Sequence, residues 1–229
     1  MIYLTGDKHG DFRRVATFCD TVESKQSDIL VIMGEAGINY FGGGRDRTLK
    51  RLLRELPITL FCIHGNHEQR PERLGYKEVP WRGGVTYAEP EFPNLLFAKD
   101  GEIYALDDKR CLVIGGAYSV DKPFRLAEGW GWWPDEQPSL EIKERVEARL
   151  AAEGWIVDIV FSHTCPLKYE PIEVFMDGIN QAAVDKSTEQ WLDTIEDKLD
   201  YRRWYCGHYH TDKIIDKLRF LFNDFIELR

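Results

Sequence analysis

Short apolar runs recur along the chain, and each stops abruptly at glycine and polar residues. Residues 2–4 run into T-G-D-K-H-G, 29–33 into G-E-A-G, and 58–63 into H-G-N-H-E. Further on, 156–161 run into S-H-T-C-P and 204–206 into G-H-Y-H. Runs this short, rich in Ile, Val and Phe and bounded by turn residues, read as buried strands. Between the first three, Phe12, Val15, Ala16 and Cys19 share one helical face. Leu49, Leu52, Leu53 and Leu56 share another, with Pro57 as a stop. Strand alternating with helix predicts right-handed βαβ units and a mainly parallel sheet at the start. After residue 94 the pattern changes. Apolar stretches at 95–97, 103–106 and 111–114 are separated by Lys99-Asp100-Gly101 and Asp107-Asp108, which predicts antiparallel hairpins. Ser139 opens an amphipathic helix reaching Ala152, with Ile142, Val146 and Leu150 as its stripe and Gly154 as its stop. Strands return at 213–215, 219–222 and 225–228. No repeat or Pro/Ser-rich linker divides the chain, so 1–229 reads as a single α/β domain. Two mixed β-sheets packed face to face, with helices outside, are the expected architecture.

The 229 residues suffice for a core without staples. Lys and Arg number 30 against 39 Asp and Glu, a formal charge of −9. That balance argues against a protein whose main work is gripping nucleic-acid backbone, and no long duplex is expected as partner. A bound metal can still supply local positive charge. The five cysteines are odd in number and form no C-x-x-C pair, which fits reduced, buried thiols and a cytoplasmic protein. No run approaches the roughly 18 apolar residues of a membrane span, and the N-terminus lacks a basic segment followed by a long apolar one.

Chemistry concentrates where the apolar runs stop. All six histidines, His9, His64, His67, His163, His208 and His210, lie at or just past the end of one. In open α/β sheets ligand sites form outside the carboxyl ends of strands, so these positions are expected to converge on one rim. Asp7 and His9 are one residue apart, as are His208 and His210. In extended backbone such pairs point to the same side, suiting each to one ion or to two adjacent ions. Nitrogen and oxygen donors without cysteine suit Mn, Fe, Co, Ni or Zn. Asp7, His9, Glu35, Asn66, His163, His208 and His210 make seven donors. That is too many for one tetrahedral ion and right for two sharing a carboxylate. Two such ions, about 3.5–4 Å apart, clamp the attacking and leaving oxygens of a displacement at phosphorus.

The order G-D-K-H-G (6–10), G-E (34–35), G-N-H-E (65–68), His163 and G-H-Y-H (207–210) resembles the calcineurin-like metallophosphoesterases. Their pattern is D-x-H, G-D-x-x-D/N, G-N-H-D/E, H and G-H-x-H. The resemblance implies a four-layer αββα sandwich and hydrolysis of a phosphomonoester or phosphodiester by a metal-activated hydroxide at a dinuclear centre. By the same resemblance Asp7, His9 and His210 hold one ion, Asn66, His163 and His208 the second, and Glu35 bridges. Manganese is favoured among the candidate metals, and His67 protonates the leaving oxygen, with Glu68 as its neighbour in the motif. The implied substrate is a small phosphoester, nucleotides included.

Two departures stand out. The bridging position, ordinarily Asp, is the longer Glu35, and the position three residues later is Ile38. In many relatives that later side chain orients the histidine of G-N-H, a task left here to Asn39 or Glu68. His64 matches no ligand and reads as packing or support at a strand end. Gly42, Gly43 and Gly44 read as a flexible loop or as a place where substrate nears the backbone. The Ser/Thr protein phosphatase motifs are missing, as is a P-loop. Residues 115–137, with three of the seven tryptophans, read as core packing or as a specificity insert in which Lys122 and Arg125 bind substrate. Two rival functions remain: a non-enzymatic interaction module on the same fold, and a nuclease acting on short strands.

Overall fold

The computed structural model describes residues 1–228. The first sheet starts with β1 (Ile2–Thr5), β2 (Ile29–Ile32) and β3 (Thr59–Cys62), with α1 (Arg13–Val22) and α2 (Gly44–Arg54) as the crossovers. It is completed by β4 (Lys77–Trp81), β5 (Gly84–Ala88) and β6 (Leu95–Ala98). The second sheet holds β7 (Ile103–Leu106), β8 (Lys109–Ile114), β9 (Ile159–Ser162), β10 (Arg203–Cys206), β11 (Lys213–Ile215) and β12 (Leu218–Phe220). Between β8 and β9 come α3 (Lys122–Glu128) and α4 (Leu140–Ala152), and α5 (Ser187–Glu196) precedes β10. The last strand, β13 (Ile226–Glu227), returns to the first sheet, whose order is β13-β1-β2-β3-β6-β5-β4. The second sheet runs β11-β12-β10-β9-β8-β7. Both are parallel at the centre with antiparallel strands at the edges.

Alternation along the strands creates the layers, because successive side chains leave a strand on opposite faces. Ile29, Val31 and Met33 join Phe61, Val113 and Phe161 between the two sheets. Leu30 and Ile32 join Val15 and Cys19 of α1 and Leu53 of α2 on the outer face. In the second sheet Val160 and Trp204 turn outward against Val146 and Leu150 of α4 and Leu192 and Ile195 of α5. The result is the four-layer αββα sandwich. Phe61 and Phe161 have no exposed surface, and burial of such a side chain contributes about 1.5–3 kcal/mol. Ser139 caps α4 as expected, accepting a hydrogen bond from the Ile142 N–H at 3.3 Å. The five cysteines are free and buried. Among the described residues no helix is long and apolar enough to cross a membrane.

Several local expectations need correction. Lys99-Asp100-Gly101 is not a hairpin turn but the passage from β6 in the first sheet to β7 in the second. Buried Asp100 anchors it, accepting from Arg70 Nη1 at 2.7 Å and from the Gly115 N–H at 2.6 Å. The antiparallel partner of β6 is β5, whose hairpin with β4 turns at Arg82-Gly83. On α2, Leu52 is 67% exposed, whereas Leu53, Asp46 and Lys50 are buried. The run at 156–161 forms a strand only from Ile159, and Ile156 contributes an isolated bridge to Asp200.

Candidate metal centre

The loops leaving β1, β2, β3, β9 and β10 at their carboxyl ends meet along one edge of the sandwich. Their backbones are turned, not extended: His9, Glu35, His208 and His210 have φ of 48, 47, 67 and 49°. Simple strand alternation therefore does not pair Asp7 with His9 or His208 with His210. Left-handed backbone in four non-glycine residues is costly and is held by its surroundings. The N–H groups of Lys8 and His9 both donate to the Glu35 carbonyl, at 3.0 and 2.8 Å, locking the first loop to the second. Close approach explains two motif glycines. A Cβ at Gly34 would collide with the His163 ring, and one at Gly65 with the Glu35 backbone.

Two groups of donors result. Asp7, His9, Glu35 and His210 bring ligand atoms within 4.8 Å of one another, and so do Glu35, His163 and His208. In the first, His9 Nε2 lies 3.1 Å from Glu35 Oε2, and His210 Nε2 lies 3.2 Å from Asp7 Oδ2. The two imidazole nitrogens face each other at 3.0 Å. In the second, Asn66 Oδ1 is 2.8 Å from His163 Nε2 and 3.1 Å from His208 Nδ1. Glu35 stands between the groups. Its Oε1 faces His163 Nε2 at 3.8 Å, while Oε2 faces His9 and His210.

The chemistry of these contacts fits cations. His163 donates from Nδ1 to the Met33 carbonyl at 2.7 Å, which leaves the Nε2 lone pair facing an amide oxygen. The Asn66 amide is oriented by its Nδ2, which donates to Ser119 Oγ at 3.0 Å. Two acceptors in contact require a proton or a cation between them. Burial pushes the His163 pKa down, but Glu35, Asp7 and the Met33 carbonyl outweigh it and lift the pKa to about 9. The Asp7 carboxylate, with Glu35 behind it, lifts His210 to about 10. Burial, helped by His163, lowers His208 to about 3. For Glu35, burial acts to raise the pKa, and the imidazoles of His163, His210 and His67 beside it hold it well below the usual range. Glu35 Oε2 is buried and makes no well-directed hydrogen bond among the described residues, leaving lone pairs for a ligand.

His67 sits beside both groups, with Nδ1 3.0 Å from Glu35 Oε1 and Nε2 3.2 Å from Asp121 Oδ1. Asp121, not Asn39 or Glu68, orients it. Asn39 accepts from the Tyr76 hydroxyl at 2.6 Å, and Glu68 accepts from the N–H groups of Gly65 and Gly37. Ile38 is packed in the core. Arg125 is buried, donating from Nε to Asp121 Oδ2 at 2.8 Å and from Nη1 to the Gly131 carbonyl at 3.2 Å. The structure thus turns Arg125 onto Asp121, and Lys122 Nζ lies over the Trp132 ring at 4.2 Å. His64 is buried with no hydrogen-bond partner for either ring nitrogen among the described residues, and it joins neither donor group. The loop at Gly42–Gly44 is tied down: the N–H groups of Phe41 and Gly42 donate to Asp46.

The family model for calcineurin-like phosphoesterases matches residues 1–212. The chain belongs to that family. TT1561 of Thermus thermophilus is similar in structure, with a TM-score of 0.51 at 14% identity over 96% of this chain and 87% of that one. A second solved chain gives 0.53 at 14% identity, covering 96% of this chain and 88% of its own. AQ665 from Aquifex aeolicus, at 0.34 and 16% identity over 72% of this chain and 80% of that one, is too distant to add to the argument. The first two likenesses support the fold. No curated protein matches the sequence significantly.

In this calcineurin-like phosphoesterase the segment 115–137 supports the site from behind. Ser119 Oγ, which receives the Asn66 amide, donates to Glu136 Oε2 at 2.5 Å, and Trp132 Nε1 donates to the same oxygen at 2.7 Å. Ser119 and Glu136 are functional candidates that sequence reasoning missed, and the hold of Asp121 on His67 was not foreseen. One signal was available: G-G-A-Y-S-V-D follows the carboxyl end of β8, a strand end like the others but lacking histidine.

Proposed function

We propose that this chain hydrolyses phosphoesters with two divalent cations. Asp7, His9 and His210 would hold one, Asn66, His163 and His208 the other, and Glu35 both. The observation that carries the reading is the Glu35 carboxylate, whose oxygens face two separate donor groups. Cations bound there supply Lewis acidity and a nucleophile at neutral pH, the chemistry phosphoester cleavage needs.

The chain's own residues supply the rest. His67 is the proton donor of this reading: Asp121 fixes its ring, and a proton on it can pass to the departing oxygen. Arg125 acts through Asp121. Manganese is the first metal to test, since oxygen ligands stand beside imidazole in both groups. Residues 1–229 act as one domain, with 115–137 as its support. Five free buried thiols favour a reducing, cytoplasmic setting.

Purified protein assayed on a chromogenic phosphodiester and a phosphomonoester, with and without Mn²⁺, Fe²⁺ or Zn²⁺, tests the proposal beside elemental analysis. Metal-dependent turnover is the expected result. A chain that binds none of these ions would end the proposal. A metal-replete chain inert on every ester, yet holding a stoichiometric partner, would favour the interaction module instead.

A further inference from the structure

Beside the donor groups lies a cavity of about 430 Å³ that they share through Glu35, Asn66, His67, His208 and His210. Away from them its wall changes character. Val174, Phe175, Met176, Ile179 and Val184, from the strap of short turns between β9 and α5, make it apolar. The Phe175 ring stacks on Tyr209 at 6.1 Å and 15°, and Tyr209 meets His208 edge-on at 5.0 Å. Aromatic surface therefore runs from the strap to a candidate ligand. The charges on the wall are one-sided. Lys186 is its only lysine or arginine among the described residues, and it is spent on Glu170 at 2.6 Å. Asp185 and Glu189 also line the cavity, and Glu189 keeps one buried oxygen without a hydrogen-bond partner among the described residues.

We infer that this cavity binds the organic group of the phosphoester, and that this group is ring-sized, largely apolar and free of negative charge. The inference rests on the proposed function for the position of the phosphate. Apolar wall beside a charged centre gains from apolar ligand surface and gives orientation without competing for the phosphate. A second phosphate or a carboxylate on the substrate would meet the Asp185 carboxylate, and no lysine or arginine among the described lining residues is free to pair with it. Nucleic-acid strands are disfavoured on the same ground, and so is the nuclease reading.

The test compares phenyl phosphate, 2-naphthyl phosphate and 6-carboxy-2-naphthyl phosphate on the metal-loaded protein, since their leaving groups differ little in acidity. The second should exceed the first in kcat/KM by about tenfold, the effect of burying roughly 60 Å² more apolar surface. The carboxylated probe should fall back by at least about tenfold. Val184→Trp, which fills the cavity, and Met176→Asp, at a position 64% exposed, should each bring the naphthyl-to-phenyl ratio toward one. Binding of 2-naphthol alone, followed by its fluorescence, should weaken by about tenfold in Val184→Trp. Equal kcat/KM for the three probes, or naphthol binding untouched by Val184→Trp, would overturn the inference and leave the hydrolase standing. Failure of all three to turn over would instead count against the proposed function, while naphthol binding would still decide the cavity.

Discussion

Asp121 occupies the N-cap position of α3 yet caps nothing, because its carboxylate is divided between His67 and Arg125. Burial acts to raise its pKa, but hydrogen bonds from His67 and Arg125 outweigh it and hold the group at about 2. It stays an anion near neutral pH and so governs the orientation of the His67 ring. Asp121→Asn should keep its metal and lose about 10–100-fold in kcat. His67→Asn should also keep its metal and lose about 10²–10⁴-fold. Because Asp121 acts through His67, the double variant should be no slower than His67→Asn alone. Metal loss in either single variant would contradict this division of work. Glu189 is shifted the other way, raised from 4.5 to about 7 chiefly by burial. Folding favours its protonated form. Its stabilising contribution is complete below the unfolded pKa of 4.5 and is lost as pH rises through about 7. Glu189→Gln does not ionise, so its Tm should gain on that of the parent between about pH 5 and about pH 8. A constant gap would show that Glu189 titrates normally.

The segment between β8 and α4 works as a unit at the level of elements. Trp132 holds Glu136, Glu136 holds Ser119, Ser119 holds the Asn66 amide, and Asp121 holds His67. Ser119→Ala removes the acceptor that keeps Asn66 Oδ1 turned toward His163 and His208. Affinity at that site should fall by about 10–100-fold, measured by competition with a chelator, with the far-UV spectrum unchanged. An unaltered affinity would mean that His163 and His208 suffice to orient the amide. The donors themselves are legible in the sequence, since Asp7, Glu35, Asn66, His163 and His208 all stand just past an apolar run. Their supports are not. Ser119 and Asp121 lie 53 and 54 residues from Asn66 and His67, in a stretch without hydrophobic period. The layers were legible through strand alternation, but α2 was misjudged. Leu52 and Leu53 are about 100° apart around a helix, and the face that packs on the sheet is centred on Leu53 and leaves Leu52 in solvent. The buried face instead admits Asp46 and Lys50, the latter paired with Glu89 at 2.6 Å. Such polar burial depends on partners far along the chain, which no local pattern reveals.

Across the whole molecule, the donor groups draw on both sheets. Asp7, His9, Glu35 and Asn66 follow β1, β2 and β3 of the first, whereas His163, His208 and His210 follow β9 and β10 of the second. Each group therefore spans the seam, which is otherwise closed by the apolar layer of Phe61, Val113 and Phe161. Cations that bind only when the sheets are together must stabilise the folded state by linkage. At a free concentration about 100 times its Kd, a cation at one site adds about 2.7 kcal/mol. In a chain of this length each kcal/mol moves Tm by about 2–4 °C, so each site should raise Tm by about 5–11 °C, and a chelator should reverse the rise. The variants separate the sites. His9→Ala should forfeit the gain from one site, and Glu35→Ala, whose carboxylate faces both groups, should erode the gain from both. A Tm that ignores Mn²⁺, Fe²⁺ and Zn²⁺ alike would mean that the facing lone pairs at the seam are satisfied by protons alone, and the two-cation reading would fall with it.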